Sequence, residues 1–281
     1  MTTYLYKKNQ QAILLVFLCQ KTAMIRKLLK YIQYLFTASS PHDVHSPFVF
    51  EFISVIMRHK HQFYPWLRIE QIRLKLLSNT EYIGVVDHGA FGKGESYSKT
   101  IKAIASKAAI PKKFGELLFQ SCLMLKATNI LELGTSFGIG TAYLASANKQ
   151  SKVTTLEGCP TILSIASKNF NSLGLNNITP VSGNFDTTLP KVLSSLYNLD
   201  VVYIDGNHTY EATVRYFDWI LPKLNKEALV IIDDIYWSKG MEKAWNTLLL
   251  EPKATVSIDL YRMGLLFFKP GQQKQHFKLR F

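Results

Sequence analysis

The chain has 281 residues, of which 47% are hydrophobic and 19% are charged. This composition is ordinary for a globular protein and excludes long disordered, collagen-like or low-complexity architectures. The formal net charge is +13, and residues 1–126 carry 18 basic against 7 acidic side chains, so the front half could attract an anionic lipid, a nucleic acid or an acidic substrate.

The N-terminal segment and the cysteines bear on location. The longest apolar run, residues 12–19, has eight residues, which is too short to span a bilayer. Because no small-residue cleavage site follows it, we favour a poorly ordered extension over residues 1–23 rather than a secretion signal. Cys19, Cys122 and Cys159 are widely spaced and form no Cys-x-x-Cys pair. A disulfide framework and a structural zinc site are therefore not expected, and a cytoplasmic location fits best.

Residues 24–110 are predicted to form a helical N-terminal region. Within 24–36, apolar residues recur on one helical face and basic residues lie away from it. We favour packing of that face on the protein body; a peripheral contact with a membrane surface is the alternative. The apolar face consists of Ile25, Leu28, Leu29, Ile32, Leu35 and Phe36, and the basic residues are Arg26, Lys27 and Lys30.

Further helices are predicted from Ser46-Pro47 to about Met57, and over 66–78, 99–109 and 114–126. Residues 84–98, which contain Gly89, Gly92 and Gly94, predict a mobile loop, and the part over 87–99 could fold over a site as a lid. Lys93, Lys99 and Lys102 either meet an anionic acceptor or form a solvated basic face. A homodimer built through the N-terminal helices is a further expectation.

From residue 129 onward, short apolar runs alternate with helical stretches. Strands are predicted at 129–133, 152–156, 177–181, 199–204 and 228–232, with helices between and after them. This alternation is typical of a parallel sheet covered by helices on both faces. Two last strands, 254–259 and 264–269, flank the turn Tyr261-Arg262-Met263 and are predicted to close the sheet edge as an antiparallel pair. We assign residues 111–281 to this domain.

The segment 130–145 reads as strand, glycine-rich turn and helix, the place where open α/β sheets bind ligands. Its glycines, Gly134, Gly138 and Gly140, match neither the dinucleotide fingerprint nor the phosphate-binding P-loop. The third possibility is S-adenosylmethionine, a cation without phosphate, for which Glu132 supplies a nearby carboxylate. A glycine turn without a ligand is the alternative. Thr135 and Ser136 lie in the same turn.

Two further strand ends strengthen the ligand interpretation. Glu157 ends the second strand, where a carboxylate can accept hydrogen bonds from ribose hydroxyls. Gly183 and Asn184 follow the third strand, where the Asn184 amide could pair with an adenine edge. Each has a simpler explanation as a turn residue, but their joint occurrence at successive strand ends favours a nucleoside-bearing ligand.

Acidic residues follow the next two strands. Asp205 and His208 come after one strand, and Asp233 and Asp234 after the other. Because unpaired carboxylates repel each other, a divalent cation such as Mg²⁺ would resolve their convergence, and a substrate hydroxyl on that metal would become more acidic. His208 is then a candidate general base. The alternatives are that Asp205 contacts a cofactor amino group, that Asp233 or Asp234 caps a helix, and that His208 orients a loop.

These motifs resemble the class I S-adenosylmethionine-dependent methyltransferases. The similarity covers about 111–270, and its segments are PKKFGELL (111–118), ILELGTSFGIGT, VTTLEGCP, VSGNFDTTLP and VYIDGNHTYEA. They are most similar to the O-methyltransferase branch, which includes the catechol, caffeoyl-CoA, macrocin and cephalosporin enzymes. The resemblance implies a Rossmann-like, doubly wound, mostly parallel sheet of seven strands with an antiparallel last strand. The candidate cofactor-binding residues are Glu132, Gly134, Thr135, Ser136, Gly138, Glu157, Gly183, Asn184 and Asp205.

The resemblance also implies a division of roles at the acidic cluster. Asp205, Asp233 and Asp234 match metal ligands of the macrocin-like enzymes, and Asp205 and His208 match catalytic positions. The chain departs from the catechol type, which has Lys at the position of His208 and Asn at that of Asp234.

The predicted function is metal-assisted O-methylation of a small-molecule or glycan hydroxyl. The alternatives are a metal-independent small-molecule methyltransferase, a nucleic-acid methyltransferase that uses the basic front half, and a non-catalytic cofactor-binding protein. Nucleic acid is disfavoured because no recognised RNA-binding module is present. Tyr236 and Trp237 either wall the acceptor pocket or pack in the core.

Overall fold

A computed structural model describes residues 25–39, 45–58, 61–87 and 95–281. The predicted N-terminal extension over 1–23 and the glycine-rich residues 88–94 lie outside these ranges. None of the described helices is long and apolar enough to cross a membrane.

The front of the chain forms helices and a β-hairpin. Helix α1 covers residues 25–37. Helix α2, Pro47–Phe52, continues into a π-helical turn, Ile53–Met57, and is followed by α3, Tyr64–Ser78. Strands β1, Tyr82–Asp87, and β2, Glu95–Thr100, pair in antiparallel fashion. Helices α4, Ile101–Ala108, and α5, Lys112–Met124, complete this part.

The hairpin corrects the prediction of a loop over residues 84–98. Both flanks of that segment are paired strands, with Tyr82 opposite Thr100 and Val86 opposite Ser96. The Thr100 hydroxyl accepts a hydrogen bond from the Ala103 amide at 3.2 Å and caps helix α4. Polar residues fill most of β2, so the period-two apolar alternation that identifies a strand is missing from the sequence.

The rest of the chain alternates strands with helices, as predicted. Its strands are β3 Asn129–Leu133, β4 Lys152–Glu157, β5 Ile178–Ser182, β6 Leu199–Ile204, β7 Leu224–Ile232, β8 Val256–Asp259, β9 Gly264–Phe267 and β10 Gln275–Lys278. Its helices are α6 Ile139–Ser146, α7 Pro160–Leu173, α8 Phe185–Ser195, α9 Tyr210–Ile220 and α10 Lys239–Leu248.

In the described part of the chain, the main sheet has eight strands in the order β10-β8-β9-β7-β6-β3-β4-β5. Among these strands, only β9 runs antiparallel to its neighbours, β7 and β8; the other pairs are parallel. The predicted Rossmann-like, mostly parallel sheet is confirmed. An eighth strand, β10, pairs with β8 and forms the edge, so the β8–β9 pair does not close the sheet as predicted. The four residues of β10, QHFK, carry no apolar pattern that predicts a strand.

Helices cover both faces of the sheet. Ile130 and Val201 belong to a core shared with α2 to α7, whereas their neighbours Leu131 and Val202 belong to a second core shared with α8, α9 and α10. Successive strand residues point to opposite faces, so strands buried on both faces read as continuous apolar runs. The front helices share a core with the sheet; the boundary between 24–110 and 111–281 stays a prediction.

Helix α1 packs on the protein through its basic face, which is opposite to the predicted apolar face. Arg26 and Lys30 form ion pairs with Glu242 at 3.4 and 2.5 Å, and Lys27 lies 5.3 Å from the centroid of the Trp237 ring. The predicted packing face is exposed instead, from 36% at Leu35 to 86% at Phe36. Periodicity located the helix correctly, but it does not tell which side of an amphipathic helix meets the protein when the partner surface is acidic and aromatic.

Candidate active site

The carboxyl ends of the parallel strands meet at one edge of the sheet, where a cavity of about 280 Å³ lies. The β1–β2 hairpin and helix α4 contribute Val85, Tyr97 and Lys107 to its wall. Most of the predicted site residues line it as well, namely Gly134, Ser136, Glu157, Asn184, Asp205, His208 and Asp234. Glu132 and Thr135 line a smaller cavity that shares Gly134, Ser136 and Asp205 with the main one.

The glycine-rich turn after β3 requires glycine at Gly134. Its φ is +105°, and a Cβ there would lie 2.0 Å from the backbone oxygen of Asp205. The amides of Gly134 and Thr135 both donate to the Leu156 carbonyl, at 2.9 and 3.1 Å, and tie the turn to β4. Gly138, with φ +82°, begins helix α6 against the Phe170 ring, 2.3 Å from where a Cβ would lie. Gly138 is thus explained by packing rather than by the cavity.

Glu132 lies beneath this turn and is 1% exposed. Its Oε2 accepts hydrogen bonds from the hydroxyls of Thr141 and Thr155, at 2.5 and 2.6 Å. Its Oε1 has no hydrogen-bond partner among the described residues. Burial raises the pKa of Glu132 to about 7, against the two threonine hydrogen bonds, which lower it. A buried carboxylate oxygen without a partner beside the cavity suits a ligand that brings a positive charge.

Glu157 and Asn184 occupy the next two strand ends. The Glu157 carboxylate accepts from the Ser136 amide at 2.9 Å and from the Cys159 amide at 3.0 Å, so it also holds the first turn in place. The Asn184 side-chain oxygen accepts from the Asp186 amide at 2.8 Å and caps helix α8. Gly183, with φ +136°, precedes it outside the cavity wall. Asn184 therefore combines the capping role with a position on the cavity.

Asp205 is held by Tyr203, two residues earlier on β6. The Tyr203 hydroxyl lies 3.0 Å from Oδ2 of Asp205 and 3.1 Å from Oδ2 of Asp233. Burial raises the pKa of Asp205 well above its ordinary value, and the charges of Asp233 and Asp234 raise it further. Burial also raises the pKa of Tyr203, and the charges of Asp205 and Asp233 raise it further, so its hydroxyl remains a donor. Tyr203 was missed by the sequence analysis, although its i, i+2 spacing to Asp205 places both on one face of the strand.

Asp233 lies behind the cavity rather than on its wall, and it is completely buried. Arg262 donates to both of its oxygens, from Nε at 3.0 Å and from Nη2 at 2.8 Å. The next residue, Asp234, reaches the cavity in a left-handed conformation with φ +54°. In the described part of the chain, no group of three or more His, Cys, Asp or Glu side chains is arranged to hold a metal ion.

His208 is close to both Asp205 and an aromatic side chain. Its Nε2 lies 3.5 Å from Oδ1 of Asp205, and its ring centroid lies 5.8 Å from that of Trp237. The neighbouring Tyr236 donates to Oδ2 of Asp259 at 2.5 Å, which directs it into the β8–β9 region. Trp237 therefore lies by the candidate base, whereas Tyr236 packs.

Arg262 is the second residue that the sequence analysis did not assign to the site. Strand β9 pairs antiparallel with β7, with Gly264 opposite Ile232, so the turn before β9 lies at the carboxyl end of β7. The sequence signal for this role was a basic residue in the predicted Tyr261-Arg262-Met263 turn. That signal is insufficient by itself, because the turn reaches Asp233 only through the strand order of the sheet.

The chain is similar in sequence to known methyltransferases. Residues 131–235 match a protein family described as "Methyltransferase domain". The chain is 28% identical over 159 residues to a catechol O-methyltransferase of Niastella koreensis, covering 56% of this chain and 70% of that enzyme. It is also 28% identical over 137 residues to a catechol O-methyltransferase of Mycobacterium tuberculosis, covering 48% of this chain and 60% of that enzyme.

Solved structures show the same fold. An O-methyltransferase from Bacillus cereus in complex with SAH superposes with a TM-score of 0.55 at 18% identity, over 79% of this chain and 97% of that one. At this identity the superposition supports the architecture alone.

Proposed function

We propose that this chain, a class I S-adenosylmethionine-dependent methyltransferase of the O-methyltransferase branch, methylates a hydroxyl group of a small-molecule or glycan acceptor. The observation that carries the proposal is the placement of Asp205 and His208 on the wall of the cavity that the Gly134 turn and Glu157 also line. A general base and a methyl donor must lie side by side for this reaction, because the acceptor oxygen must be in line with the methyl–sulfur bond.

The residues at three strand ends suit the methyl donor. Glu132 offers an unpartnered carboxylate oxygen to a cationic group, and Glu157 offers a carboxylate to ribose hydroxyls. Gly134 keeps the backbone beside the cavity free of a side chain, and Asn184 lies on the wall near the third strand end. The bound donor supplies an electrophilic methyl carbon: the new bond joins it to the acceptor oxygen, and the carbon–sulfur bond breaks with its electron pair left on sulfur.

His208 is proposed to take the hydroxyl proton of the acceptor at Nε2. Asp205, whose Oδ1 lies 3.5 Å from the same nitrogen, would accept a hydrogen bond from Nε2 once the ring is protonated. Trp237 lies beside His208 and would contact the carbon skeleton of the acceptor.

Divalent-metal assistance, which the sequence predicted, does not fit the observed arrangement. The predicted ligand set of Asp205, Asp233 and Asp234 needs a free oxygen on Asp233, but both oxygens of Asp233 already accept from Arg262. We therefore derive no catalytic step through a metal ion.

The described residues of the front region 24–110 are proposed to shape the acceptor side of the cavity. Val85 and Tyr97 of the β1–β2 hairpin and Lys107 of α4 line the cavity. Lys27 of α1 lies over Trp237. Acceptor specificity would then depend on this region more than on the sheet.

The test is methyl transfer from labelled S-adenosylmethionine to catechol, other phenols and glycan acceptors, beside calorimetric titration with the cofactor. We expect saturable cofactor binding and label in an ether product. His208→Ala should lower kcat by about 10²–10⁴-fold while cofactor affinity stays within about twofold, since the base acts on the acceptor. Absence of cofactor binding, or label found only on nitrogen or carbon of the product, would refute the proposal.

A further inference from the structure

Asp233 has no free position for a metal ion, because its two oxygens are fully engaged. Oδ1 accepts from Arg262 Nε at 3.0 Å and from the Asp234 amide at 2.8 Å. Oδ2 accepts from Arg262 Nη2 at 2.8 Å and from the Tyr203 hydroxyl at 3.1 Å. A carboxylate oxygen has about two lone-pair directions, so Oδ1 is saturated. The second direction of Oδ2 faces the Tyr203 hydroxyl, whose single proton Asp233 and Asp205 share.

Arg262 is fixed in this position by the fold. It lies in the β8–β9 turn, and its carbonyl accepts from the Ile235 amide at 3.1 Å, directly beyond the acidic pair. Its guanidinium carbon lies 5.8 Å from the centroid of the Phe114 ring on helix α5. Arg262 also lines the cavity. The same residue therefore binds Asp233 and is exposed to the space that a ligand would occupy.

The two other carboxylates, those of Asp205 and Asp234, line the cavity itself. Asp205 lies by Tyr203 and His208, and Asp234 is on the cavity wall. A bound methyl donor is itself a cation, and the wall beside Asp205 is where the glycine-rich turn lies. With the methyl donor bound, the negative charges of the cluster would be balanced partly by the fixed Arg262 guanidinium and partly by the ligand.

We propose that Arg262 is a positioning residue that supplies, as part of the chain, the positive charge for which this branch of methyltransferases recruits a divalent cation, so that methyl transfer here is independent of metal. Its planar guanidinium matches the Asp233 carboxylate in two parallel hydrogen bonds, a geometry that lysine does not reproduce. This inference rests on the proposed O-methyl transfer, and it concerns what neutralises the acidic pair during that reaction.

The experiment is a Mn²⁺ titration of the full chain saturated with S-adenosylhomocysteine, followed by electron paramagnetic resonance of free Mn²⁺. For the unchanged protein we expect no saturable Mn²⁺ binding, and equal turnover in EDTA and in Mg²⁺. Arg262→Met frees the oxygens of Asp233, so Mn²⁺ affinity should rise by at least about tenfold, which corresponds to about 1.4 kcal/mol. Its turnover in EDTA should fall and should be partly restored by Mg²⁺.

Two controls accompany this titration. Lys107→Met removes a positive charge from the same cavity wall without touching Asp233, and it should gain no Mn²⁺ affinity. Arg262→Lys keeps a charge near Asp233 but not the two parallel hydrogen bonds, so it should gain some Mn²⁺ affinity, though less than Arg262→Met, which gives a readout even if Arg262→Met does not fold.

Saturable Mn²⁺ binding by the unchanged protein, with turnover lost in EDTA, would overturn the inference, as would equal gains in affinity for Lys107→Met and Arg262→Met. Titration with S-adenosylhomocysteine separates the two proposals. If the protein binds this product and also binds Mn²⁺, only the role of Arg262 fails. If it does not bind the product at all, the proposed function fails first.

Discussion

Glu132 shows how a single buried group links stability to ligand binding. Its Oε2 is paired with two threonine hydroxyls, but its Oε1 has no partner among the described residues. An ionised carboxylate in that position carries a desolvation cost, which explains why burial raises its pKa to about 7. A cationic ligand in the adjoining cavity would offset that desolvation cost. In the ligand-free protein the cost remains and destabilises the ionised form of Glu132.

Replacing Glu132 with glutamine should alter the pH dependence of stability in the ligand-free protein. The folded-state pKa lies above the ordinary value of 4.5, so the folded protein binds the proton more tightly, and this contribution is lost as pH rises from 4.5 through about 7. Over that window the unfolding free energy of the unchanged protein should fall by about 3 kcal/mol more than that of Glu132→Gln. Urea unfolding at a series of pH values measures this difference.

The matched control is Glu227→Gln, because Glu227 is exposed. Its pH profile should follow that of the unchanged protein. If Glu132→Gln also follows it, the buried carboxyl group does not titrate in this window.

At the scale of elements, the turn between β3 and α6 depends on one glycine. Gly134 and Gly174 both have positive φ, +105° and +70°, but a Cβ at Gly134 would collide with the Asp205 backbone, whereas nothing lies within 4 Å of one at Gly174. Gly174→Ala should therefore cost only the backbone strain, about 1–2 kcal/mol. Gly134→Ala must also displace the end of β6, which carries Asp205.

We expect Gly134→Ala to lose more unfolding free energy than Gly174→Ala and to abolish binding of S-adenosylhomocysteine. Urea unfolding and calorimetric titration measure the two effects. If Gly134→Ala still binds S-adenosylhomocysteine, the displacement that the alanine forces on the β3–α6 turn and the end of β6 does not change the binding cavity, and the prediction is wrong.

Most of the main sheet could be predicted because its strands are continuous apolar runs between helices. Strands β3 to β7 were all located, as were the intervening helices. The hairpin strands β1 and β2 and the edge strand β10 were not. Part of β1 was assigned to the glycine-rich loop, and the partly polar β2 and β10 are strands only because neighbouring strands supply their hydrogen bonds. The Asp205 and Asp234 positions on the cavity followed from strand ends alone.

Contacts between distant segments could not be predicted. Arg262 reaches Asp233 because β9 is inserted between β7 and β8, and a sequence pattern does not reveal that order. The metal prediction depended on the same step: three carboxylates near one sheet edge suggest a cation, and the cation that meets Asp233 is a guanidinium from another turn. Tyr203 was hidden in an apolar strand, where a tyrosine reads as a core residue.

At the scale of the whole molecule, the two ends of the described chain are joined. The Ser39 amide donates to the Lys278 carbonyl at 2.8 Å, and Arg280 Nη2 donates to the Leu35 carbonyl at 2.6 Å. The hydroxyl of Tyr34 donates to the Leu279 carbonyl from a side chain that is 5% exposed. Helix α1 and the segment after β10 thus stabilise each other next to the β8–β9 turn, which carries Arg262.

Tyr34→Phe should lower the unfolding free energy by about 1–3 kcal/mol, because it leaves the buried Leu279 carbonyl without its donor while the ring stays in place. Tyr31→Phe is the control on the same helix, since Tyr31 is 43% exposed and its ring contact with Tyr261, at 4.9 Å between centroids, survives the change. Urea unfolding measures both, and hydrogen exchange at the β10 amides should quicken in Tyr34→Phe alone. Equal losses in the two variants would mean that the hydroxyl of Tyr34 does not join the ends, and that α1 is held by its ion pairs to Glu242 instead.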